Sequence, residues 1–526
     1  YYNHTEREFR GFGMVEQIDS EHYAEWSRNN ATNQLEESEE LYQKPVLTKT
    51  WFHTGAFLDR ERILTHFKEE YWHEVYNRRF PASPLSITEP ELPDAQLSDD
   101  VKTLMGDEYR EALRACKGMM LRQEVFALDA PEDPTDAELQ LQMKPYTVAT
   151  HNSHVQLLQP RDKNEFGVFI VTESEAITIS YERDETDYRL AHTLNTKIDD
   201  LGNILESASV VYGRQQAKAD ADFQSLADKI TDFSEDVLNN DAAQKTQLQN
   251  AFANNIQSAK DEQTQTHIIY TQNSFAKYND GATDFDDIDL PHAYRLRLPH
   301  ETKTFELTGF TPADDLFQLP ELENALSIAS EIGYHESPSG GTQSRLIEHI
   351  KTKYLDDELN ELHFGFFDTL GLPYESYQLA YTPDLVTNIY SKQDGTELQA
   401  DGADVSSFIK AKGNFTEFNS DGLLWIRSGF THFKENAGEA MGNVRSRFFS
   451  PLAFEDPYGA ITSVVYDTET FTGTTRNNDG YYLFIKNTTD AIDNKVQIDV
   501  FNYRTMSPAR MIDLNANPSS VLLDEL

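Results

Sequence analysis

Asp490-Ala-Ile-Asp-Asn494, followed by Lys495-Val-Gln-Ile-Asp-Val-Phe501, joins a turn head to a run rich in β-formers. Asp and Asn supply a tight turn and tolerate positive φ, and the apolar residues after them suit a pleated, half-buried strand. The same order recurs at Asp199 (Asp-Asp-Leu-Gly-Asn, then Ile204 to Tyr212) and at Asp456 (Asp-Pro-Tyr-Gly-Ala, then Ile461 to Tyr466). A further copy begins at Asp513 (Asp-Leu-Asn-Ala-Asn, ahead of Ser520 to Leu523). The last three copies start 34 and 23 residues apart, which suits hairpin-sized units stacked side by side. One such unit cannot bury its apolar face alone, so the array predicts an extended β-structure built by neighbour contacts.

The composition agrees with a folded chain. Only 38 % of the 526 residues are hydrophobic, but 31 Phe and 25 Tyr are too many aromatic residues for a disordered one. Eighty-nine acidic residues against 45 basic ones give a formal charge of -44. That charge argues against nucleic acid, whose binding needs basic surface, and against anionic membranes. Cys116 is the only cysteine, so neither an internal disulfide nor a cysteine-based metal site is expected. It recurs at helical spacing with Tyr109, Leu113 and Met120, the pattern of a buried small hydrophobe. No run of about 18 apolar residues and no signal-peptide pattern is present. The chain opens Tyr-Tyr-Asn-His, without an initiator Met, and reads as an excised part of a longer protein.

Along the chain, strands are expected at Glu8–Gln17, Leu47–Phe57 and Leu121–Leu128, with a helix near Asp107–Gly118 and a proline-rich connector from Pro81 to Pro93. From Thr147 the apolar period becomes two. Phe166/Val168/Ile170 and Ile177/Ile179/Tyr181, separated by Thr172–Ala176, read as a β-hairpin. Between Arg214 and Gln265 the period changes: Phe223, Leu226, Ile230, Phe233 and Val237 fall at spacings of three and four, as do Leu248, Phe252, Ile256 and Ala259. This predicts a helical hairpin, turning at Asn239–Asp241, set into β-structure. Strand periodicity returns at His267–Tyr270, Tyr294–Leu298 and Thr304–Phe310. Short helices are expected at Glu321–Ile332 and Thr342–Asp357, and strands and turns from Tyr377 to Leu526.

Catalytic and metal constellations are mostly absent. There is no His-Glu-x-x-His pair, no Gly-x-Ser-x-Gly elbow, no Walker loop and no dinucleotide glycine fingerprint. His151 and His154 are three apart in a strand or turn, which does not put both on one face. His66 and His73, seven apart on a helix, are too distant for a single-turn metal clamp. The acidic stretch Asp280–Asp289 lacks the glycine and the terminal glutamate of an EF-hand loop. Asp456-Pro-Tyr-Gly resembles the aspartate motif of self-cleaving repeat shells, yet an ordinary strand follows it, so it reads as a turn. The expectation is therefore no catalytic, cofactor-binding or metal residue, no cofactor and no enzyme activity. A glycan-active β-solenoid is the enzyme-class alternative, recognisable by an aromatic-lined acidic cleft.

Seven stretches carry a resemblance. They are Arg7-Glu-Phe-Arg-Gly-Phe-Gly-Met-Val-Glu-Gln17, Lys49-Thr-Trp-Phe-His-Thr-Gly55, Leu121-Arg-Gln-Glu-Val-Phe-Ala-Leu-Asp129, Tyr294 to Phe310, Arg345-Leu-Ile-Glu-His349, Leu372-Pro-Tyr-Glu-Ser-Tyr377 and Asn502-Tyr-Arg-Thr505. In order and spacing they resemble the B component (TcB, SpvB-like) of bacterial ABC-type (Tc) insecticidal toxins, in its middle to C-terminal part leading into RHS/YD repeats. The helical arm at 214–265 and the acidity depart from the pattern. The resemblance implies a mainly β, long curved antiparallel sheet that forms the wall of a hollow shell. The implied organisation is a β-rich segment over 1–213, a helical hairpin insertion over 214–265, a continuing β-rich segment over 266–445 and an RHS/YD-like repeat segment over 446–526. The implied partners are the toxin's C component, the remaining B-chain repeats and, through the B propeller, the A-component channel, without direct membrane insertion. The implied role is a non-catalytic part of a secreted complex that encapsulates a toxic polypeptide. A cell-surface YD-repeat adhesin or polymorphic-toxin wall would share the repeats but not the seven ordered stretches.

Overall fold

A computed structural model describes residues 1–4, 7–19, 44–131, 133–237, 242–278, 297–392, 398–400, 403–467, 470–472, 475–477 and 482–522. The chain divides into two compact units. The first comprises Tyr1–Tyr270, Glu306–Ser330 and Gly340–Gln343, and the second Thr271–Phe305, Glu331–Ser339 and Ser344–Leu526.

In the first unit the strands Met14–Asp19, Val46–Phe52, Met120–Ala127, Thr147–Gln159, Val168–Ser180, Arg189–Ile198 and Ile204–Val211 pair antiparallel in that order. Short Ala95–Leu97 adds a parallel pairing to Thr147–Gln159. Alternation drives the sheet: Val148, Ile177, Ile179 and Leu190 turn to one face and pack with Trp72, Phe126 and Tyr181. The helices Arg60–Glu70, Trp72–Arg79 and Asp107–Ala115 lie along this sheet. Trp51 and Leu121 pack on Phe67, and Val155 packs on Ala112 and Cys116.

The expected hairpin within 166–181 is instead one unbroken strand, Val168–Ser180. Thr172–Ala176 contains no Gly, Pro or Asn to bend the backbone. What interrupts the pattern is a bulge: Asn152 faces Glu175 and Ser153 faces Glu173, leaving Ser174 as the extra residue. The turn of that hairpin lies at 160–167, where Gln159 pairs with Val168.

The helical arm is present, as Gln216–Val237 and Ala242–Thr264 packed side by side. Its expected turn at Asn239–Asp241, and the side chains of Ile230, Phe233, Val237 and Leu248, lie outside the described residues. The root is tied by ions. Arg214 donates to Asp187 (2.9 and 2.6 Å) and to Asp222, and Lys260 pairs with Asp220. The flanking strands Ile204–Val211 and His267–Phe275 are hydrogen-bonded neighbours. Deleting 214–265 is therefore expected to leave one cooperative unfolding transition, measured by circular dichroism in urea; its loss would make the arm part of the core.

In the second unit Gln343–Leu355, Leu372–Tyr381 and Leu424–Arg427 pair antiparallel. The expected helix at Thr342–Asp357 is thus a thirteen-residue strand. Leu346, Ile347, Ile350 and Tyr354 have helical spacing, but pairing with Leu372–Tyr381 overrides it. The expected helix at Glu321–Ile332, in the first unit, shortens to two single turns, Leu319–Leu322 and Ala325–Ile328. Beyond Tyr377, three short helices, Pro383–Ile389, Val405–Gly413 and Met441–Ser446, join the expected strands. Seven of the strands after Gly429 form an antiparallel sheet in the order Phe430–His432, Ala453–Glu455, Ile461–Tyr466, Ile485–Thr489, Lys495–Asn502, Ser507–Ile512, Pro518–Ser520, while Thr470–Thr472 and Thr475–Asn477 pair with each other. The mainly β class with large antiparallel sheets holds.

Candidate functional site

The turn heads are one device used repeatedly. In Asp490–Asn494 the Asp490 Oδ1 accepts the backbone N–H groups of Ile492 (3.0 Å) and Asn494 (2.9 Å), while the Asn494 amide donates to Oδ2 (2.9 Å). Asp513 and Asn517 repeat all three bonds, at 2.9, 2.8 and 3.1 Å. Asp199 and Asn203 do the same, and Asp456 makes the two backbone bonds, to Tyr458 and Ala460. In every copy the residue before the Asp pairs with the residue six further on, as Thr489 with Lys495 and Ile512 with Pro518. This is a hairpin loop whose fourth residue turns left-handed: Gly202, Gly459, Asp493 and Ala516 have φ of 77°, 87°, 66° and 62°.

A fifth copy, Asp356-Asp-Glu-Leu-Asn360, escaped the sequence reading. Asp356 Oδ1 accepts from Glu358 (2.9 Å) and Asn360 (2.7 Å), Asn360 donates to Oδ2 (2.9 Å), and Leu359 has φ 67°. Leu in the left-handed place hid it, although the Asp-x-x-x-Asn spacing was available. The Asn494 side chain, then its backbone N–H, hold the Asp490 carboxyl below its ordinary range. That contribution is complete above the ordinary carboxylate range and is lost as pH falls through the folded value. Ala516→Gly should stabilise by about 0.5–1 kcal/mol by removing the left-handed strain. Asp490→Ala should destabilise the hairpin by leaving the Ile492 and Asn494 N–H groups without their acceptor. Urea midpoints check both.

Two buried polar groups mark the first unit. Arg122, 2 % exposed, lies between Glu89 and Glu124. Its Nε donates to Glu124 Oε1 (2.8 Å), and its guanidinium is 2.7 Å from Glu89 Oε2, an ion pair off the hydrogen-bond axis. Glu89 Oε1 accepts from Trp72 Nε1 (2.7 Å) and the Tyr181 hydroxyl (2.8 Å); Glu124 Oε1 accepts from the Trp72 N–H (3.1 Å). Burial pushes the Glu124 carboxyl up. For Glu89, burial is more than offset by Arg122, Trp72 and Tyr181, and its carboxyl is held down.

The second group floors a cleft of about 760 Å³ lined by Glu91, Tyr188, Asp314 and Asp315 among others. Phe317 N–H donates to the Tyr212 hydroxyl (2.8 Å), which stands 3.3 Å from His192 Nδ1, and His192 Nε2 is 3.2 Å from Glu175 Oε2. Tyr212 accepts from Phe317, so its proton can point to Nδ1, an arrangement that puts an imidazole hydrogen on Nε2, facing Glu175. Gln96 and Asn152 occupy Glu175 Oε1. Every member of the chain has a partner, the imidazole lying between the Tyr212 hydroxyl and Glu175, and the arrangement orders the wall of the cleft.

The residues weighed from sequence are dispersed. Cys116 is buried in the core, its thiol pushed up to about 12 by burial. His151 pairs with Glu173 (2.8 Å), while burial lowers the pKa of His154. His66 and His73 lie on separate helices, broken at Tyr71. Asp280–Asp289 and Tyr294–Leu296 lie outside the described residues. Among the described residues no group of three His, Cys, Asp or Glu side chains is arranged for a metal, and no helix is long and apolar enough to cross a membrane.

Comparison with known proteins gives three findings. Residues 111–285 match the family described as the insecticide toxin TcdB middle/C-terminal region. No curated protein matches the chain in sequence. A crystal structure of TcdB2-TccC3 aligns over 99 % of this chain at 20 % identity with a TM-score of 0.57, and one of TcdB2-TccC3-Cdc42 over 99 % at 19 % and 0.55. A Photorhabdus luminescens Tc holotoxin pore aligns over 99 % at 20 % and 0.55. The chain spans about a fifth of the length of these structures, 21 %, 20 % and 20 % respectively, and at such identity the likeness is one of fold. Residues 111–285 thus resemble the middle/C-terminal region of the Tc toxin B component, and the chain as a whole shares the fold of the TcdB2-TccC3 structures.

Proposed function

We propose that this chain is a non-catalytic wall segment of a secreted Tc toxin complex. In this reading it forms, with the C component, part of a hollow β-shell that encloses a toxic polypeptide for passage into the A-component channel. The observation that carries the reading is the likeness in fold to TcdB2-TccC3 along 99 % of the chain. A wall needs strand pairing and shape, and the five turn-headed hairpins supply both. The terminal sheet adds support: Pro518–Ser520 is exposed throughout, and Met511, Leu514 and Val521 are 41 %, 57 % and 56 % exposed beside it. Among the described residues nothing pairs with the outer edge of Pro518–Ser520, and such an edge recruits further strands.

Co-expression with the remaining B-chain repeats and a C component is the test. The expected result is a soluble, monodisperse, protease-resistant assembly, whereas the chain alone is aggregation-prone or exposes apolar surface despite its charge. A lone chain that is a compact monomer, and that ignores C-type chains in size-exclusion and pull-down assays, would overturn the proposal. So would hydrolase, transferase or protease turnover that disappears on mutating one of its acidic residues.

A further inference from the structure

Glu89, Arg122 and Glu124 set two carboxylates against one guanidinium, which leaves one negative charge in excess. The contacts leave that excess at Glu124 Oε2, because Glu89 Oε2 has the Arg122 guanidinium at 2.7 Å. Glu124 Oε1 takes Arg122 Nε and the Trp72 N–H, whereas its Oε2, equally buried, has no hydrogen-bond partner. Glu124 is 0 % exposed and lines a cavity of about 170 Å³ whose apolar walls include Leu47, Trp72, Val75 and Phe126. An apolar cavity of about 150 Å³ holds a ligand the size of benzene. A buried carboxylate oxygen without a donor is costly, so a donor entering this space gains more than it would in water.

The cation that lines the cavity, Lys49, is engaged elsewhere. Lys49 stands directly across the strand pairing from Glu124, but it also stands across from Glu16, and its ammonium is paired there at 3.1 Å. Its Nζ lies 6.0 Å above the Phe126 ring. Glu70, also on the wall, is bound by Trp51 Nε1 (3.1 Å) and His66 (3.2 Å). Gln142 spends its carbonyl oxygen on the Ala130 N–H (2.8 Å).

We propose that this cavity is a binding site for a small primary ammonium on an apolar body, up to about the size of benzylammonium, whose N–H donates to Glu124 Oε2. The ammonium supplies the missing positive charge, and the body packs against Trp72, Phe126 and Val75. The apolar side chains on the wall favour an amine with an apolar body over ammonium ion itself. Burial also raises the Glu124 carboxyl, so ammonium binding is favoured on the high-pH side of its titration, where the carboxylate is ionised. Affinity then rises with pH until the amine itself deprotonates.

The test is calorimetric titration of the full 526-residue chain with benzylamine, benzyl alcohol and toluene at pH 8. Benzylamine is expected to bind one to one, about ten-fold or more tighter than toluene, as a charge-assisted hydrogen bond requires, with benzyl alcohol between them. Glu124→Gln keeps an oxygen for Arg122 and Trp72 and should erase the preference for benzylamine over toluene. Val75→Phe fills the cavity and should abolish binding of all three. Lys49→Met, which removes the one competing ammonium, should leave benzylamine binding intact or tighter. Equal affinity of the wild-type chain for benzylamine and toluene overturns the proposal, as does benzylamine binding that survives Val75→Phe or no binding at millimolar concentration. If Glu124→Gln fails to fold, the wild-type ligand series and Val75→Phe still decide.

Discussion

Arg122→Met should destabilise the chain by about 3–5 kcal/mol at neutral pH, because it leaves two buried carboxylates without their counter-ion. Glu124 is 0 % exposed and the Glu89 side chain 5 %, so neither can turn to water without opening the core formed by Trp72 and Tyr181. The substitution also removes a guanidinium stacked 4.2 Å from the centre of the Tyr71 ring. Methionine fills most of the volume, so the loss reports charge more than cavity. The pH dependence identifies the cause. Without Arg122 both carboxyls are raised by burial, so the folded state binds more protons than the unfolded one. Stability therefore recovers as pH falls through their folded values. In the wild-type chain the raised Glu124 carboxyl alone gives a weaker slope of the same sign, stability declining as pH rises above the ordinary carboxylate range, and Glu124→Gln removes it. Urea midpoints between pH 5 and 8 measure all three chains. A loss below about 1 kcal/mol, the level of an exposed pair, would show the cluster to be solvated.

That cluster was invisible in the sequence, and the reason is instructive. Arg122 and Glu124 share one face of the strand with Phe126, but nothing local says that this face is buried. Glu89 sits in the proline-rich connector and reaches Arg122 only through the tertiary fold. In a chain with 89 acidic residues, no carboxylate distinguishes itself by composition. The turn heads were legible because their chemistry is local: an Asp side chain bonds to backbone two and four residues on, whatever the rest of the chain does. The copy at Asp356 shows the limit of that reading. Leu359 occupies a left-handed position that residue preference disfavours, and it is retained where Leu355, Leu372, Phe433 and Val444 pack around it. The helical arm was legible because its period changes against a β background. Gln343–Leu355 was misread for the converse reason: its apolar residues fit period 3.6, and pairing with neighbouring strands such as Leu372–Tyr381 makes it extended. Thr172–Ala176 was misread because a bulge and a turn interrupt a period of two alike, and only strand register separates them.

Gly429→Ala should be as damaging as the loss of Arg122, through the backbone alone. Strand Leu424–Arg427 belongs to one sheet and Phe430–His432 to the next, so Ser428 and Gly429 carry the chain from one to the other. Gly429 holds φ 103°, beyond the left-handed helical region that Asn or Asp tolerates. A Cβ at this position would sit far inside contact distance of the Glu455 carbonyl oxygen and 3.0 Å from the Asp456 Cα. Both are backbone, so no rotamer change relieves the clash. Glu455 is the pairing partner of Phe430, and Asp456 heads the next turn, so relief must come by parting Phe430–His432 from Ala453–Glu455. The combined strain and lost pairing should cost about 3 kcal/mol or more. Gly442→Ala is the control: it lies in the helix Met441–Ser446 with nothing within 4 Å of the added carbon, and should be neutral or stabilising by up to about 1 kcal/mol. Limited proteolysis reads the outcome directly. In Gly429→Ala, cleavage should begin within 430–522 at protease concentrations that leave the wild-type chain and Gly442→Ala intact, while strands of the first unit stay protected. Equal protection of the two alanine variants would mean that the terminal sheet does not depend on the crossing at Gly429.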